Sequence, residues 1–531
     1  MSTLSKTELL ATPLDEIPKI RLRLRAGFAT DRSRDIAYRK TQLAQLAHLL
    51  QDNRDRIYDA IKLDFNRAQL ETEMLEIGPV LESALAAHSY LKKWTAPERA
   101  PFSLNWRLSA PTIYRESKGT VLIVGPFNYP VYSNFMPLIG AISAGCAVVL
   151  KPSELTPNST ALLTELLPKY LDPEMYAIVN GSIPEMKTVS MNVSERVCLM
   201  LSKLLGLQWD HIFFTGSTNV GRIVAKAAAE FLTPVSLELG GKNAAIVDST
   251  VDFDAAARSI LWAKTANSGQ TCIAPDFVMV HKDAHDKFIT AIQTAYKQFW
   301  PDAAAQPEAQ AHVVNNAAFK RMVDLLTRTK GTIVAGGGLE TADEATNYFP
   351  ATLVDNTKFD DSLMEHEIFG PILPIVTVEN IEEAVEYSRT RASPLACYVF
   401  TNNSKVAEQV RLNTRSGAFV QNDAMIQGAM WGLPFGGVGD SGYGPQGGKY
   451  TFELFTYHRA VATPPGFMEK ILALRYPPYT PTKLKLALTA VSPKVSLPRA
   501  GGSSAPLGKM VASFALIASI VAAYRYKLGQ T

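Results

Sequence analysis

The chain has 531 residues, and 53 Lys and Arg stand against 50 Asp and Glu, for a formal net charge of +3. Apolar residues make 47% and charged residues 19%, too apolar for disorder and too evenly charged for an electrostatic claim on nucleic acid. At roughly 150 residues per domain this length allows about two to four domains, each with ample core.

The first twenty residues lack the apolar run of a secretory signal. Residues 17–100 read as helices, with Leu43, Leu46, Leu50 and Ile57 at helical spacing. The basic stretch 21–34 reads as a solvated helix face rather than a nucleic-acid or membrane surface. From Thr120 the texture changes to short β-rich runs followed by helices: TVLIV (120–124), AVVL (147–150) and IFFT (212–215). After Leu237 the pattern recurs with AAIV, a helix over 255–267, FVMV and a helix near 284–299. Continuous apolar strands alternating with helices predict an α/β fold of parallel sheets covered on both faces, with ligands beyond the strands' carboxyl ends. Residues 463–506 are rich in Pro, Ser and Gly, and Lys470, Arg475, Lys483, Lys485, Lys494 and Arg499 outnumber Glu469, which predicts a basic linker. Residues 510–524 are apolar or small throughout, with Arg525 and Lys527 following. As a helix this run spans about 22 Å, short of the roughly 30 Å hydrocarbon core, although a start at Leu507 lengthens it.

None of the four cysteines (Cys146, Cys198, Cys272, Cys397) forms a CxxC pair, which argues against a disulfide scaffold or zinc ribbon and for a reducing compartment. The eight His show no HExxH or ligand spacing, so no metal is expected. Two segments carry chemistry: LELGGK (237–242) and NSGQTC (267–272). A lone Cys is more often an inert buried hydrophobe than a nucleophile. Cys272, however, sits in a Gly- and Ser-containing loop after a helix, where peptide N–H groups can favour a thiolate and stabilise an oxyanion. Glu238 lies at a strand end before a Gly-Gly turn, where a carboxylate can reach a cleft. A Cys nucleophile and a Glu base suffice for acyl chemistry.

These segments resemble the aldehyde dehydrogenase superfamily, together with GPFNYP (125–130), KPSE (151–154), FTGS (214–217) with Gly221, EIFGP (367–371) and LPFGGVGDSGYG (433–444). The likeness covers about residues 18–460. Pro275 and Asp276, a short N-terminal lead and RYPP (475–478) point to class 3, which includes fatty aldehyde dehydrogenases. The resemblance implies a Rossmann-type cofactor domain over 18–239 with an arm near 102–118, and a catalytic α/β domain over 240–432. It further implies an oligomerisation return over 433–462, then the linker 463–506 and a membrane anchor at 507–527. The implied catalytic set is Cys272, Glu238 and Asn128. Asn128 could instead cap a helix, and Glu238 could be a surface carboxylate near Lys242. Lys151, Glu154, Gly216, Ser217, Gly221, Glu367 and Phe369 are implied in binding NAD, with NADP as a second cofactor, since a carboxylate at Glu154 accepts from a ribose 2′-OH and repels a 2′-phosphate. The expected reaction is oxidation of a long-chain or otherwise apolar aldehyde to its acid by a homodimer. The expected location is the cytoplasmic face of an intracellular membrane, or else the soluble cytoplasm. Apocarotenoid and aromatic aldehydes are alternative substrates; a coenzyme A-acylating dehydrogenase and a non-catalytic structural relative are the rival classes. Residues 188–203 depart from the family pattern and read either as a surface insertion or as a translated intron.

Overall fold

Runs of consecutive apolar residues with no polar alternation form two parallel sheets, because only a sheet covered on both faces can bury every residue of a strand. The structure, a computed structural model, describes residues 9–103, 106–181, 199–302, 306–490, 495 and 497. Its chain divides into a larger unit, residues 1–97 and 114–459, and a smaller one, residues 98–113 and 460–531.

In the larger unit the first sheet has six strands, ordered Gly442–Tyr443, Val235–Leu239, His211–Gly216, Thr120–Val124, Ala147–Lys151 and Tyr176–Ile178. All neighbours run parallel except the edge strand Gly442–Tyr443. Val121, Leu122 and Ile123 are wholly buried, as are Leu43, Leu46, Leu50 and Ile57 of the N-terminal helices. The leucine stripe therefore faces the core, as its spacing predicts.

The second sheet has seven strands, ordered Thr332–Ala335, Thr352–Asp355, Ile372–Val378, Phe277–His281, Ala244–Val247, Ala396–Phe400 and Ala418–Gln421. Only the first pair is antiparallel. Helix Phe253–Thr265 and helix His285–Phe299 occupy nearly the predicted spans.

In the smaller unit, Glu98 and Arg99 pair antiparallel with Ile113 and Thr112. The Thr463 N–H donates to the Ser109 carbonyl at 2.7 Å, and Met468 is buried against the Ser109 hydroxyl at 3.6 Å. The stretch read as a linker is partly helical, over Met468–Leu472 and Pro481–Ala490. Pro481 opens the second helix with a preset φ, and the Thr480 hydroxyl accepts from the Lys483 N–H at 3.2 Å, so local capping outweighs composition.

The tail 507–527 lies outside the described residues, and among the described residues no helix is long and apolar enough to cross a membrane. The expected anchor and its membrane location thus rest on composition alone. Of the unplaced stretch 188–203, residues 188–198 lie outside the described residues, Cys198 with them. Its end belongs to helix Leu199–Leu205, with Met200, Leu201, Leu204 and Leu205 buried.

Candidate active site

The chain passes from one sheet to the other through Gly240–Asn243, and this passage builds the site. Strands of the first sheet end at Val124, Lys151, Gly216 and Leu239, so the segments leaving them gather along one edge. Strands of the second sheet begin at Ala244, Phe277, Ile372 and Ala396, just after Lys242, Cys272, Glu367 and Leu395. The site therefore uses the carboxyl ends of one sheet and the amino ends of the other. Carboxyl ends were expected, and the first sheet uses them; the second sheet adds loops from its amino ends to the same cleft.

Of the ten sequence-predicted residues, nine line one cavity of about 980 Å³: Asn128, Lys151, Glu154, Gly216, Ser217, Glu238, Cys272, Glu367 and Phe369. The tenth, Gly221, lies on helix Thr218–Glu230, where a Cβ would stand 2.7 Å from Leu239 Cδ2. It permits close packing of that helix on the sheet rather than facing the cavity.

Cys272 follows a reversal in which Asn267, Ser268 and Gly269 all have positive φ, at 51°, 55° and 71°. Such a run is costly for side-chain-bearing residues and persists only where the surroundings hold it. The holding group is Arg67. Its guanidinium has no exposed surface; it donates to Asn267 Oδ1 at 2.6 and 3.1 Å, to the Asn128 carbonyl at 2.7 Å and to the Glu76 carboxylate. The rings of Phe65 and Tyr129 lie 4.8 and 5.0 Å from it. Glu76 in turn accepts from the N–H groups of Val131 and Tyr132 at 2.6 and 3.1 Å, satisfying the start of helix Tyr132–Ala144 from a distance. The Asn128 amide has no capping role there; it donates to the Gln270 carbonyl at 2.9 Å, beside Cys272. Arg67 and Glu76 are absent from the sequence reading, because nothing in their spacing shows that they pair beneath two motif loops.

Glu238 is held between Thr215 on one neighbouring strand and Gly442 on the other. It is only 3% exposed, and neither carboxylate oxygen has a hydrogen-bond partner among the described residues. Lys242 is not its partner: that ammonium binds Asp276 at 2.6 Å and the Leu363 carbonyl at 2.7 Å, tying the Gly-Gly passage to the Glu367 loop. A Cβ on Gly241 would stand 2.9 Å from Pro394 Cα, and one on Gly240 would displace the Glu367 carboxylate.

The cofactor-side residues form a cradle at the start of helix Thr218–Glu230, which Ser217 caps by accepting from the Val220 N–H at 3.4 Å. Gly216, Ser217 and Asn219 line the cavity where the helix dipole is positive. Lys151 pairs with Glu154, Glu367 accepts from the Gly241 N–H at 3.3 Å, and Phe369 meets Phe127 edge-on at 5.8 Å. These donors, carboxylates and apolar edges fit a dinucleotide.

The sequence model of the aldehyde dehydrogenase family matches residues 23–461. Human aldehyde dehydrogenase family 3 member B1 is 38% identical over 469 residues, covering 88% of this chain and 96% of that protein. Mouse family 3 member A2 is 38% identical, with 88% and 92% covered. The substrate-bound structure of Staphylococcus aureus AldH superposes with a TM-score of 0.83 at 35% identity, covering 89% of this chain and 99% of that one. The chain belongs to the aldehyde dehydrogenase family. It is an aldehyde-oxidising enzyme of a family that uses NAD(P), and its family 3 relatives agree with the class 3 resemblance.

The electrostatics of this aldehyde dehydrogenase differ from the sequence expectation at one point. Burial, with the nearby carboxylates of Glu367 and Glu238, pushes the Cys272 thiol up to about 12. The peptide N–H groups of Cys272 and Ile273 do favour the thiolate, as expected, but are outweighed. Burial also raises Glu238 well above the usual carboxylate range. Glu367 rises to about 8 through burial and the charge of Asp276. Cys146 and Cys397 are buried away from the cavity.

Proposed function

We propose that this enzyme oxidises long-chain or otherwise apolar aldehydes to carboxylic acids through a covalent adduct on Cys272. The observation that carries the reading is the meeting of Cys272, Asn128 and Glu238 in one cavity whose lining includes the apolar side chains of Met74, Leu75, Trp262, Met425, Ile426 and Phe435. These side chains suit an alkyl chain or a conjugated or aromatic aldehyde.

Cys272 Sγ attacks the carbonyl carbon, and the Asn128 amide with the Cys272 N–H stabilises the oxyanion. The Cys272 thiol proton passes to solvent, which leaves Glu238 unprotonated for the later step. NAD, when bound, supplies the hydride acceptor that turns the thiohemiacetal into a thioester. Glu238 then removes a proton from water, which hydrolyses the thioester and releases Cys272. The presence of this buried carboxylate supports water, rather than coenzyme A, as acyl acceptor.

Lys151, Glu154, Gly216, Ser217, Glu367 and Phe369 hold the dinucleotide in this reading, with Gly221 behind them. Glu154 supports NAD over NADP, because a 2′-phosphate would meet its carboxylate. The first sheet serves as the cofactor domain and the second as the catalytic domain. The smaller unit, with Phe102, Trp106, Leu108 and Phe467 largely exposed, serves to contact a second copy; light scattering on the purified protein tests that, a dimeric mass supporting it and a monomeric mass opposing it.

The deciding experiment follows NADH formation with aldehydes of increasing chain length, with acid products identified by mass spectrometry. kcat/KM should rise with chain length, and Cys272→Ala should abolish turnover while NAD still binds. Turnover by Cys272→Ala, or a preference for charged aldehydes, would refute the reading.

A further inference from the structure

We infer that Gln446 is a further catalytic residue, whose side-chain carbonyl holds the hydrolytic water jointly with Glu238. The inference rests on the reading of Cys272 and Glu238 given above.

Gln446 lines the same cavity as Cys272 and Glu238, is 4% exposed, and its Oε1 has no hydrogen-bond partner among the described residues. Its backbone is fixed: its N–H donates to the Phe435 carbonyl and its carbonyl accepts from the Phe435 N–H, both at 2.7 Å. The next residue is fixed too, with the Gly447 N–H donating to the Thr451 hydroxyl at 2.7 Å. Between the two paired segments lies Gly436, where a Cβ would be 2.7 Å from Pro445 Cα and 3.2 Å from Glu238 Oε1. The segment bearing Gln446 is thereby packed against the Glu238 carboxylate.

Three buried acceptor atoms, Glu238 Oε1 and Oε2 and Gln446 Oε1, thus belong to residues that line the cavity and lack a donor among the described residues. An unmet buried acceptor is costly, so a donor enters from the cavity side. A water molecule carries two donors and two lone pairs. Giving one hydrogen to Glu238 and the other to Gln446 would leave a lone pair free for a thioester carbonyl on Cys272, which lines the same cavity. In the step, water oxygen bonds to the carbonyl carbon, one water proton passes to Glu238, and the carbon–sulfur bond breaks with its electron pair going to sulfur. The second hydrogen, held by Gln446, leaves with the carboxylic acid. No oxidant or reductant is consumed.

The test compares unaltered enzyme, Gln446→Leu and Gln446→Asn with NAD and an apolar aldehyde, reading steady-state NADH and the acyl-enzyme fraction by intact mass after acid quench. One lost hydrogen bond to the attacking water should slow steady turnover of Gln446→Leu by about 10-fold. Acyl adduct on Cys272 should accumulate at the same time. Hydroxylamine, which attacks a thioester without needing a held water, should restore NADH turnover. Gln446→Asn, with the amide drawn back by one methylene, should fall between the two. Unchanged turnover in Gln446→Leu would overturn the assignment. So would slowed turnover without adduct or hydroxylamine rescue, the signature of a displaced loop. If unaltered enzyme and Glu238→Gln alike form no adduct on Cys272, the underlying reading fails as well.

Discussion

Replacing Arg67 by Met tests whether a wholly buried charge sets the geometry of the Asn128 and Cys272 loops. Met matches much of the volume but leaves Glu76 buried without its cation and frees Asn267 Oδ1. The Asn128 carbonyl keeps one donor, the Asn267 amide at 2.8 Å. Breaking a buried ion pair from one side costs about 3–5 kcal/mol. Losing alignment of one oxyanion donor costs about 10²–10³ in rate. Urea unfolding followed by tryptophan fluorescence should therefore show a loss near 4 kcal/mol, read against that buried-pair range, and single-turnover NADH formation should fall about 100-fold with NAD affinity unchanged. Burial already raises Glu76, opposed by Arg67, so in the variant its folded pKa climbs further above the unfolded one. The neutral form is then the tolerated form, stability is retained at low pH, and the deficit grows as pH rises through the raised pKa. Arg67→Met/Glu76→Gln should recover part of the stability, since only the partly exposed Glu71, 3.7 Å from Arg67 in the parent, then lacks its cation, yet keep the slow single turnover. A single variant within about 1 kcal/mol of the parent, the surface-pair range, or a double variant no more stable than Arg67→Met, would refute the reasoning.

Because burial holds the Cys272 thiol near 12, its alkylation by iodoacetamide in free enzyme should climb about tenfold per pH unit from about pH 7 to 10, without a plateau; a plateau below pH 8 would contradict the assigned environment. Gly221→Ala places a Cβ 2.7 Å from Leu239 Cδ2 and should cost about 1–3 kcal/mol, seen as a lowered urea midpoint together with weaker NAD binding. Glu154→Gln removes the carboxylate that is proposed to disfavour a 2′-phosphate and loosens its pairing with Lys151. NADP should gain on NAD by about 5- to 10-fold in kcat/KM, roughly one charge contact, measured with one aldehyde and both cofactors.

The fold was legible because its cues are local: TVLIV and AVVL can be buried only in a two-faced sheet, and the leucine stripe of the N-terminal helices repeats at 3.6 residues. The site's location was legible where motif segments meet, since Cys272, Glu238 and Asn128 all line one cavity. It was not legible where chemistry arises from distant packing. Arg67 and Glu76 sit nine positions apart with no periodic pattern, and their role exists only because helix Tyr132–Ala144 and the Cys272 loop converge on them. Gln446 stands in a glycine-rich run that signals turns, and only its buried, unpartnered oxygen singles it out. The thiol's raised proton affinity was not legible, because peptide donors are visible in a loop sequence while the burial and the two carboxylates opposing them are tertiary. The helices within 463–490 were hidden by a Pro-rich composition that, at Thr480 and Pro481, begins a helix instead of breaking one.

The most direct measurement maps the covalent intermediate. Glu238→Gln, mixed with NAD and an apolar aldehyde, is quenched in acid and digested for peptide mass spectrometry. The account predicts one equivalent of NADH in a burst and an acyl mass on the peptide bearing Cys272, in a chain that does not turn over further. An acyl mass on another residue, or a burst with none on Cys272, would contradict it.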